Sequence, residues 1–395
     1  MKIYEIGTGY TSIPAKISAA TEIIVEQLTL SMMKQGKDVE IIDVCDKNRK
    51  ENSLPISEVK VPSILMNTDL QLGIVHKLKR VVYSVSLAIK LKKILKNTKE
   101  KVVFHFHNQY NMFFFTKLVN EKLRENCIMA YTNHTGVWRM PWKEIEKEVR
   151  ERYFQEAECM KKADKVFVLN EETKNNIITH LGVKEENICV INNGVNTDVY
   201  IPLSKEEKET IKEKRGFSDK KIIMQVGSVY ENKGQARSVE LLSDLMKEDE
   251  NLVYLYAGGI VDEEYKNLVD ETAKKFGVEN QVKYLGMISP GEELNEFYNI
   301  ADTTIFPSNY EAFGLVVVEA FSAGVPVLVN EKGTFAFSDG CVIYNEHNFT
   351  EKVKGNIFAD EDKIKNLSSL ARKTAVENYG WDKISSDYIN FWNKG

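Results

Sequence analysis

Two glutamates eight positions apart, Glu311 and Glu319, stand in the stretch PSNYEAFGLVVVEAFSAGVPVL (residues 307–328), and Glu319 is the only ionisable side chain between Glu311 and Glu331. An isolated buried carboxylate is costly unless donors satisfy it or it takes up a proton. The segment TTIFP reads as a strand, SNYEAF as the loop after it and GLVVVEAFSAG as a helix. Gly314 lets the backbone come close to a ligand at the helix start. The free amides near Phe313, Gly314 and Leu315 then form a site for a phosphate or sugar oxygens. Glu311 reaches out from the loop. Glu319 lies in the second turn, where vicinal ribose hydroxyls are suitable donors to it. A structural ion pair with some lysine explains Glu319 as well.

A second group of residues points the same way. In QVGSVYENKGQ (residues 225–235) a strand ends, a loop follows, and Lys233 precedes the next helix. A lysine there can neutralise a diphosphate that departs with two negative charges; a solvated surface lysine fits the spacing too. YTNHTGVW puts His134 and Thr135 at a strand end, where His134 could donate to a phosphate or a sugar hydroxyl; a satisfied structural histidine fits this segment equally well. FHFHN places His105 and His107 on one face of a strand by its two-residue period. They show no further metal ligands in the sequence, and His107 is a candidate cleft-lining residue. In the first loop, Gly7, Gly9 and Ser12 approximate a dinucleotide fingerprint, but Pro14 intervenes before the helix and Asp43 is too far on to be the usual ribose acid. That loop reads as a lip, not a nicotinamide or flavin site.

The elements that must position these residues are legible as alternation. KIYEI, DVEIIDV, KVVFHFH, CIMAYT, KVFVL and ICVIN form one strand series, and KIIMQVG, LVYLYAG, VKYLG, TTIFP and VPVLV a second, with helical segments between, one of them around 142–162. This predicts parallel sheets covered on both faces. The turn-rich NNGVNTDVYIPLSKEEKE marks the break. The expected organisation is α/β: two doubly wound Rossmann-like domains, 1–195 and 196–375, facing across a cleft, with a C-terminal helix over 376–395. Ligands of such sheets sit beyond the carboxyl ends of the strands.

Composition narrows the class. The chain has 395 residues, 43% of them hydrophobic and 28% charged, with a formal net charge of −5, which argues against nucleic acid as a partner. Five scattered cysteines without a C-x-x-C pair suggest reduced thiols in a cytoplasmic protein. The N-terminus lacks a signal-peptide layout, and no apolar run approaches a membrane span. The basic, partly amphipathic stretch 75–101, with its lysines and Arg80, offers either peripheral contact with the inner face of an anionic membrane or a solvated helix face.

The ordered set NNGVNTDVY, VGSVYENKG, LVYLYAGG, VKYLGMIS and LNEFYNIADTTIFPSNYEAFGLVVVEAFSAGVPVLV resembles the retaining glycosyltransferases of family four, with the GT-B fold. The tail ARKTAVENYGWDKISSDYINFW resembles that family's final helices, which cross back to the N-terminal domain, and AATEIIVEQLTLSMMKQGKDVEIIDV its first helix and second strand. The resemblance implies roles. Glu311, with the backbone of Phe313, Gly314 and Leu315, would hold the transferred sugar, Glu319 the ribose and Lys233 the diphosphate. His134 would face the reacting sugar and phosphate, the backbone around Met287 the nucleobase, and the amides of Ala19 and Ala20 the diphosphate at the first helix start. Two departures stand out: Ser228 replaces an arginine common beside the lysine, and Ala19 and Ala20 replace a glycine pair.

What the resemblance implies is transfer of a hexosyl- or N-acetylhexosaminyl-type sugar from a nucleotide diphosphate sugar, a UDP-sugar favoured, to an acceptor hydroxyl with retention. Such an enzyme needs no cofactor and no metal, and closure of its two domains would exclude water. Two other readings use the same residues: another GT-B enzyme such as a sugar-nucleotide epimerase, and a non-catalytic nucleotide-sugar binder.

Overall fold

The computed structural model describes the chain except residues 15–19, 50, 63–73, 310, 312, 334–339, 358–359 and 395. The chain divides into two compact units, Met1–Asn193 with Trp381–Gly395, and Gly194–Gly380.

The first unit carries a seven-stranded sheet of β1 (Ile3–Ile6), β2 (Val39–Val44), β3 (Ile56–Val59), β4 (Val102–Phe106), β5 (Cys127–Thr132), β6 (Lys165–Val168) and β7 (Ile188–Val190). Every pairing is parallel. All five residues of β4, VVFHF, are buried, as a strand of a parallel sheet covered on both faces must be. The final helix, Trp381–Trp392, belongs to this unit: Trp381, Ile384, Tyr388 and Trp392 pack with Ile24, Leu28, Val103 and Phe167. Burial of each such large side chain contributes about 1.5–3 kcal/mol. Lys34 Nζ also pairs with Asp382 at 2.7 Å.

The second unit carries a six-stranded parallel sheet of β8 (Lys221–Val226), β9 (Leu252–Ala257), β10 (Val282–Tyr284), β11 (Thr303–Phe306), β12 (Val327–Asn330) and β13 (Cys341–Tyr344). The six residues of β9, LVYLYA, are all buried. Its core joins Ile223, Tyr254, Ile305 and Leu328 of the sheet to Val239, Leu242, Val269 and Val353 of the covering helices.

Strand order fixes where chemistry can sit. The first sheet runs β3-β2-β1-β4-β5-β6-β7 and reverses direction between β1 and β4; the second runs β10-β9-β8-β11-β12-β13 and reverses between β8 and β11. At each reversal the chain leaves neighbouring strands toward opposite sides, opening a crevice at their carboxyl ends. The loops after β8 and β11 carry Lys233 and Glu311, and those after β1, β4 and β5 carry Gly7, His107 and His134.

Three details differ from expectation. The short strands β3 (ISEV) and β13 (CVIY) add an edge to each sheet. The segment 142–162 is two helices, Trp142–Glu151 and Phe154–Lys162. The return to the first unit begins at Trp381, not 376, because a π turn, Ala375–Tyr379, stays in the second unit, where the Val195 N–H donates to the Tyr379 carbonyl at 2.8 Å. The same bond draws residues 194 and 195 into that unit.

Candidate active site

In the second unit Lys233 closes a short turn, Glu231–Lys233, before the helix Gln235–Glu248. Buried Gln225 of β8 fixes it: its Nε2 donates to the Lys233 carbonyl (2.7 Å), while its Oε1 accepts from Ser238 Oγ (2.9 Å) and Tyr254 OH (2.6 Å). Gln235 Nε2 holds the Ser228 carbonyl at 3.0 Å. The Asn309 N–H donates to the Asn232 carbonyl at 3.3 Å, tying the loop after β11 to the loop after β8. With the loops so joined, Lys233 Nζ forms an ion pair with Glu311 Oε1. Each side chain is 18% exposed, so the pair is partly desolvated yet reachable. Lys233 Nζ also lies 5.9 Å from the centroid of the Phe306 ring.

The helix Leu315–Ser322 follows Glu311 closely, at the end of the same loop. Gly314 is its N-cap at φ 95°, a left-handed conformation that side chains resist. Among the described residues no side chain caps the helix, and its first turn holds no acid, so its leading amides keep their capacity for an anion. Phe313, buried against Tyr379 with centroids 5.6 Å apart, anchors the turn. Among the described residues Glu319 faces tyrosines, not a lysine: the Tyr298 hydroxyl donates to its Oε2 at 3.0 Å and the Tyr200 hydroxyl is its other partner. The residue keeps some exposure, but burial of its carboxyl group outweighs both donors and pushes its pKa up to about 7. Ser228 is partly exposed after β8, and Met287, 71% exposed, follows β10.

In the first unit, the loop after β5 brings His134 Nε2 to 2.9 Å from His107 Nδ1. His107 Nε2 lies 2.8 Å from Glu5 Oε2, and His105 Nδ1 lies 3.0 Å from Glu5 Oε1. Glu5 sits on β1 in register with His105 of β4. Burial would raise the Glu5 pKa, but His105 and His107 hold it at about 2. Burial lowers His107 to about 4 and His134 well below the usual imidazole value. A second buried acid secures the His134 loop: Glu156 accepts from Tyr131 OH (2.7 Å), Trp138 Nε1 (2.7 Å) and Thr135 Oγ1 (3.3 Å).

The structure thus unites Lys233 with Glu311 directly, places Phe313, Gly314 and Leu315 at the adjoining helix start, and sets Glu319 in the same helix against its own partners. Ala20 opens the helix Ala20–Lys34 and is exposed; Ala19 lies outside the described residues. That helix start carries its own acid, Glu22, which takes Thr8 Oγ1 and the backbone amides of Glu22 and Thr11. The glycines of the first loop serve packing. A Cβ on Gly7 would lie 2.5 Å from Asp43 Oδ1, and one on Gly9, at φ 80°, would lie 2.2 Å from the Tyr83 ring. Arg80 is withdrawn from the basic surface: its guanidinium lies 4.7 Å from the Tyr110 ring and 5.6 Å from the Tyr10 ring. Sequence reasoning missed Gln225, Tyr200, Tyr298, Glu156 and Glu5. Glu5 had left a signal, since it is the one acid in the apolar run KIYEI.

Comparison with known proteins follows this division. Residues 21–199 match the model of Glycosyltransferase Family 4, and residues 207–340 that of Glycosyl transferases group 1. An uncharacterized glycosyltransferase of Methanocaldococcus jannaschii is 26% identical over 236 residues, 58% of this chain and 59% of that protein. The mannosylfructose-phosphate synthase of Agrobacterium fabrum is 28% identical over 195 residues, 48% of this chain and 42% of that one. The chain spans about half the length of the curated relatives it matches. The crystal structure of Anabaena HepE in complex with UDP and glucose superposes with a TM-score of 0.72 at 14% identity, covering 100% of both chains, and shows the GT-B fold. Among the described residues no helix is long and apolar enough to cross a membrane.

Proposed function

We propose that this chain, which belongs to glycosyltransferase family four, moves a hexosyl- or N-acetylhexosaminyl-type sugar from a UDP-sugar to an acceptor hydroxyl with retention at the anomeric carbon. The observation that carries the reading is the Lys233–Glu311 pair, set at the β8/β11 reversal beside an uncapped helix start. A pair of opposite charges there meets both demands of a nucleotide sugar. Lys233 has three N–H donors, and those not held by Glu311 face the diphosphate; the amides behind Gly314 add to them as charge develops on the leaving group. Glu311 accepts from sugar hydroxyls. Glu319, with lone pairs beyond those its tyrosines occupy, accepts from the ribose. The backbone around Met287, an exposed residue after β10, meets the base.

In this reading the departing phosphate takes the acceptor's proton on the face it leaves, so no protein nucleophile is required. Lysine and helix amides carry the charge without a metal. The choice of UDP is supported by HepE, which was crystallised with UDP and with glucose. The acceptor is a hydroxyl compound bound by the first unit. Peripheral contact with an anionic membrane falls to the helix Ile74–Asn97, which exposes Leu78, Val81 and Ile89 together with Lys77, Lys93 and Lys96. Vesicles rich in anionic lipid should co-sediment the protein, and 0.5 M salt, on the order of a Debye length of 4 Å, should release it; binding indifferent to lipid charge would remove this surface from the reading.

The test is a thermal-shift screen of nucleotide sugars followed by an assay of nucleoside diphosphate release with hydroxyl acceptors. A ligand that favours the folded form raises its stability by mass action. UDP-sugars should raise Tm and, with an acceptor, release UDP. Donor conversion without acceptor would indicate an epimerase, binding without release a silent binder, and no shift with any nucleotide sugar would end the reading.

A further inference from the structure

We infer that Glu5 and His107 are positioning residues that lock His134 in the tautomer protonated on Nε2, so that its Nδ1 offers a lone pair to a substrate hydroxyl. The inference deepens the transferase reading and rests on it for the identity of the substrate. It follows from counting protons along one chain of contacts. The Glu5 carboxylate, held at about 2, only accepts. His107 Nε2, 2.8 Å from Glu5 Oε2, must therefore carry a hydrogen. His107 is kept neutral by burial and by neighbouring His105, which leaves its Nδ1 bare. The only hydrogen that can fill the 2.9 Å gap to His134 then sits on His134 Nε2. His134 is likewise neutral, so its Nδ1 is bare, and that nitrogen is buried without a partner among the described residues.

The remaining contacts brace the array. Glu5 Oε1 takes His105 Nδ1, and His105 Nε2 lies 2.7 Å from Thr132 Oγ1, which lies 3.3 Å from Tyr388 OH. Glu156 pins the loop on the far side through Thr135 and Trp138. Position at a strand end alone allows His134 to donate to a phosphate or a sugar hydroxyl. A bare nitrogen repels phosphate oxygen, so the network selects a hydroxyl and reverses the direction of the bond. Glu5, His105 and His107 also bring three ligand-type atoms within 4.8 Å of one another. Their contacts of 2.8 and 3.0 Å are those of charge-assisted hydrogen bonds, whereas tetrahedral zinc holds its ligand atoms about 3.4 Å apart.

The decisive measurement is a two-bond 15N–1H correlation spectrum of the histidine-labelled full chain at neutral pH. His107 and His134 should both show a protonated Nε2 and a bare Nδ1, and the His134 Nδ1 signal should move when UDP-sugar is added. A protonated Nδ1 on His134, an imidazolium at either position, or one equivalent of tightly bound zinc would overturn the inference. In Glu5→Gln, whose amide can donate, the His134 pattern should scramble. Its kcat/KM should fall about 10–100-fold, the usual cost of losing an outer partner that orients a contacting group; Glu5→Asp should restore part of the loss. An unchanged His134 pattern in Glu5→Gln would also overturn it, and His107→Gln replaces that variant should it not fold. The spectrum needs no turnover, so failure of the transferase reading and failure of the relay are separable.

Discussion

Glu5 of the first unit and Glu319 of the second are both lone acids in apolar elements, and they end in opposite states. Burial pushes each toward its neutral form, yet Glu5 is held at about 2 and Glu319 rises to about 7. The difference lies in their donors. Glu5 receives an imidazole N–H on each oxygen and lies with both rings inside the sheet. Glu319 receives tyrosine hydroxyls, weaker partners with little charge to offer. The first arrangement is a sealed network, internally matched. The second is an unsettled acid on the helix that follows Glu311 of the half-open Lys233–Glu311 pair. Sealed groups can orient, while unsettled ones are free to exchange partners when a ligand arrives.

The sharpest way to break this contrast is Lys233→Ala. If the open pair does the chemistry, kcat should drop about 10²–10³-fold, as for other preorganised charge stabilisers. The fold should persist, because the amine is partly exposed and its loss leaves Glu311 able to reach water. Steady-state kinetics beside a thermal melt separates the two effects. Normal turnover by a folded variant would move Lys233 out of the chemistry and leave the open pair with only a structural meaning.

Glu5→Leu should act in the opposite sense. It strands two imidazole N–H groups inside the sheet, at a cost of about 2–4 kcal/mol in unfolding free energy. Glu319→Leu should cost far less, since Glu319 already pays a burial penalty that its tyrosines do not offset. Paired urea titrations of the two variants test this ranking directly. Equal losses would mean that burial, not the quality of the donors, governs both acids.

Much of this contrast was legible before the structure, though unevenly. Strands with long apolar runs, such as VVFHF and LVYLYA, announced themselves; β3 and β13 did not, because ISEV and CVIY are short edge strands only partly buried. The two-residue period put His105 and His107 on one face, but their acid came from β1 through the Glu5–His105 register, a long-range fact no local pattern contains. Lys233 and Glu311 were both visible as residues of loops after strands. Their pairing was not, since 78 positions separate them and only the β8–β11 adjacency joins their loops. Glu319 was conspicuous for its apolar surroundings, yet its tyrosine partners come from elsewhere in the unit and carry no signature of their own.

The smallest effect discriminates most finely, because it reads the ionisation of Glu319 itself. The folded-state pKa of this group lies above the ordinary value of 4.5, so the folded chain holds an extra proton between about pH 4.5 and 7. Its contribution to stability is therefore greatest at the acid end of that window and declines as pH rises through it. UDP binding should run the other way. Ribose hydroxyls are drawn to the ionised carboxylate, so affinity should grow as pH passes through about 7, with release of a proton on binding. Calorimetry in buffers of different ionisation enthalpy measures both the slope and the proton. Glu319→Gln should flatten the pH profile and weaken binding at high pH by about 1.5–3 kcal/mol, the range for a hydrogen bond to a charged group. A slope that survives in Glu319→Gln would assign the titration to another group and leave Glu319, like Glu5, a residue of the scaffold.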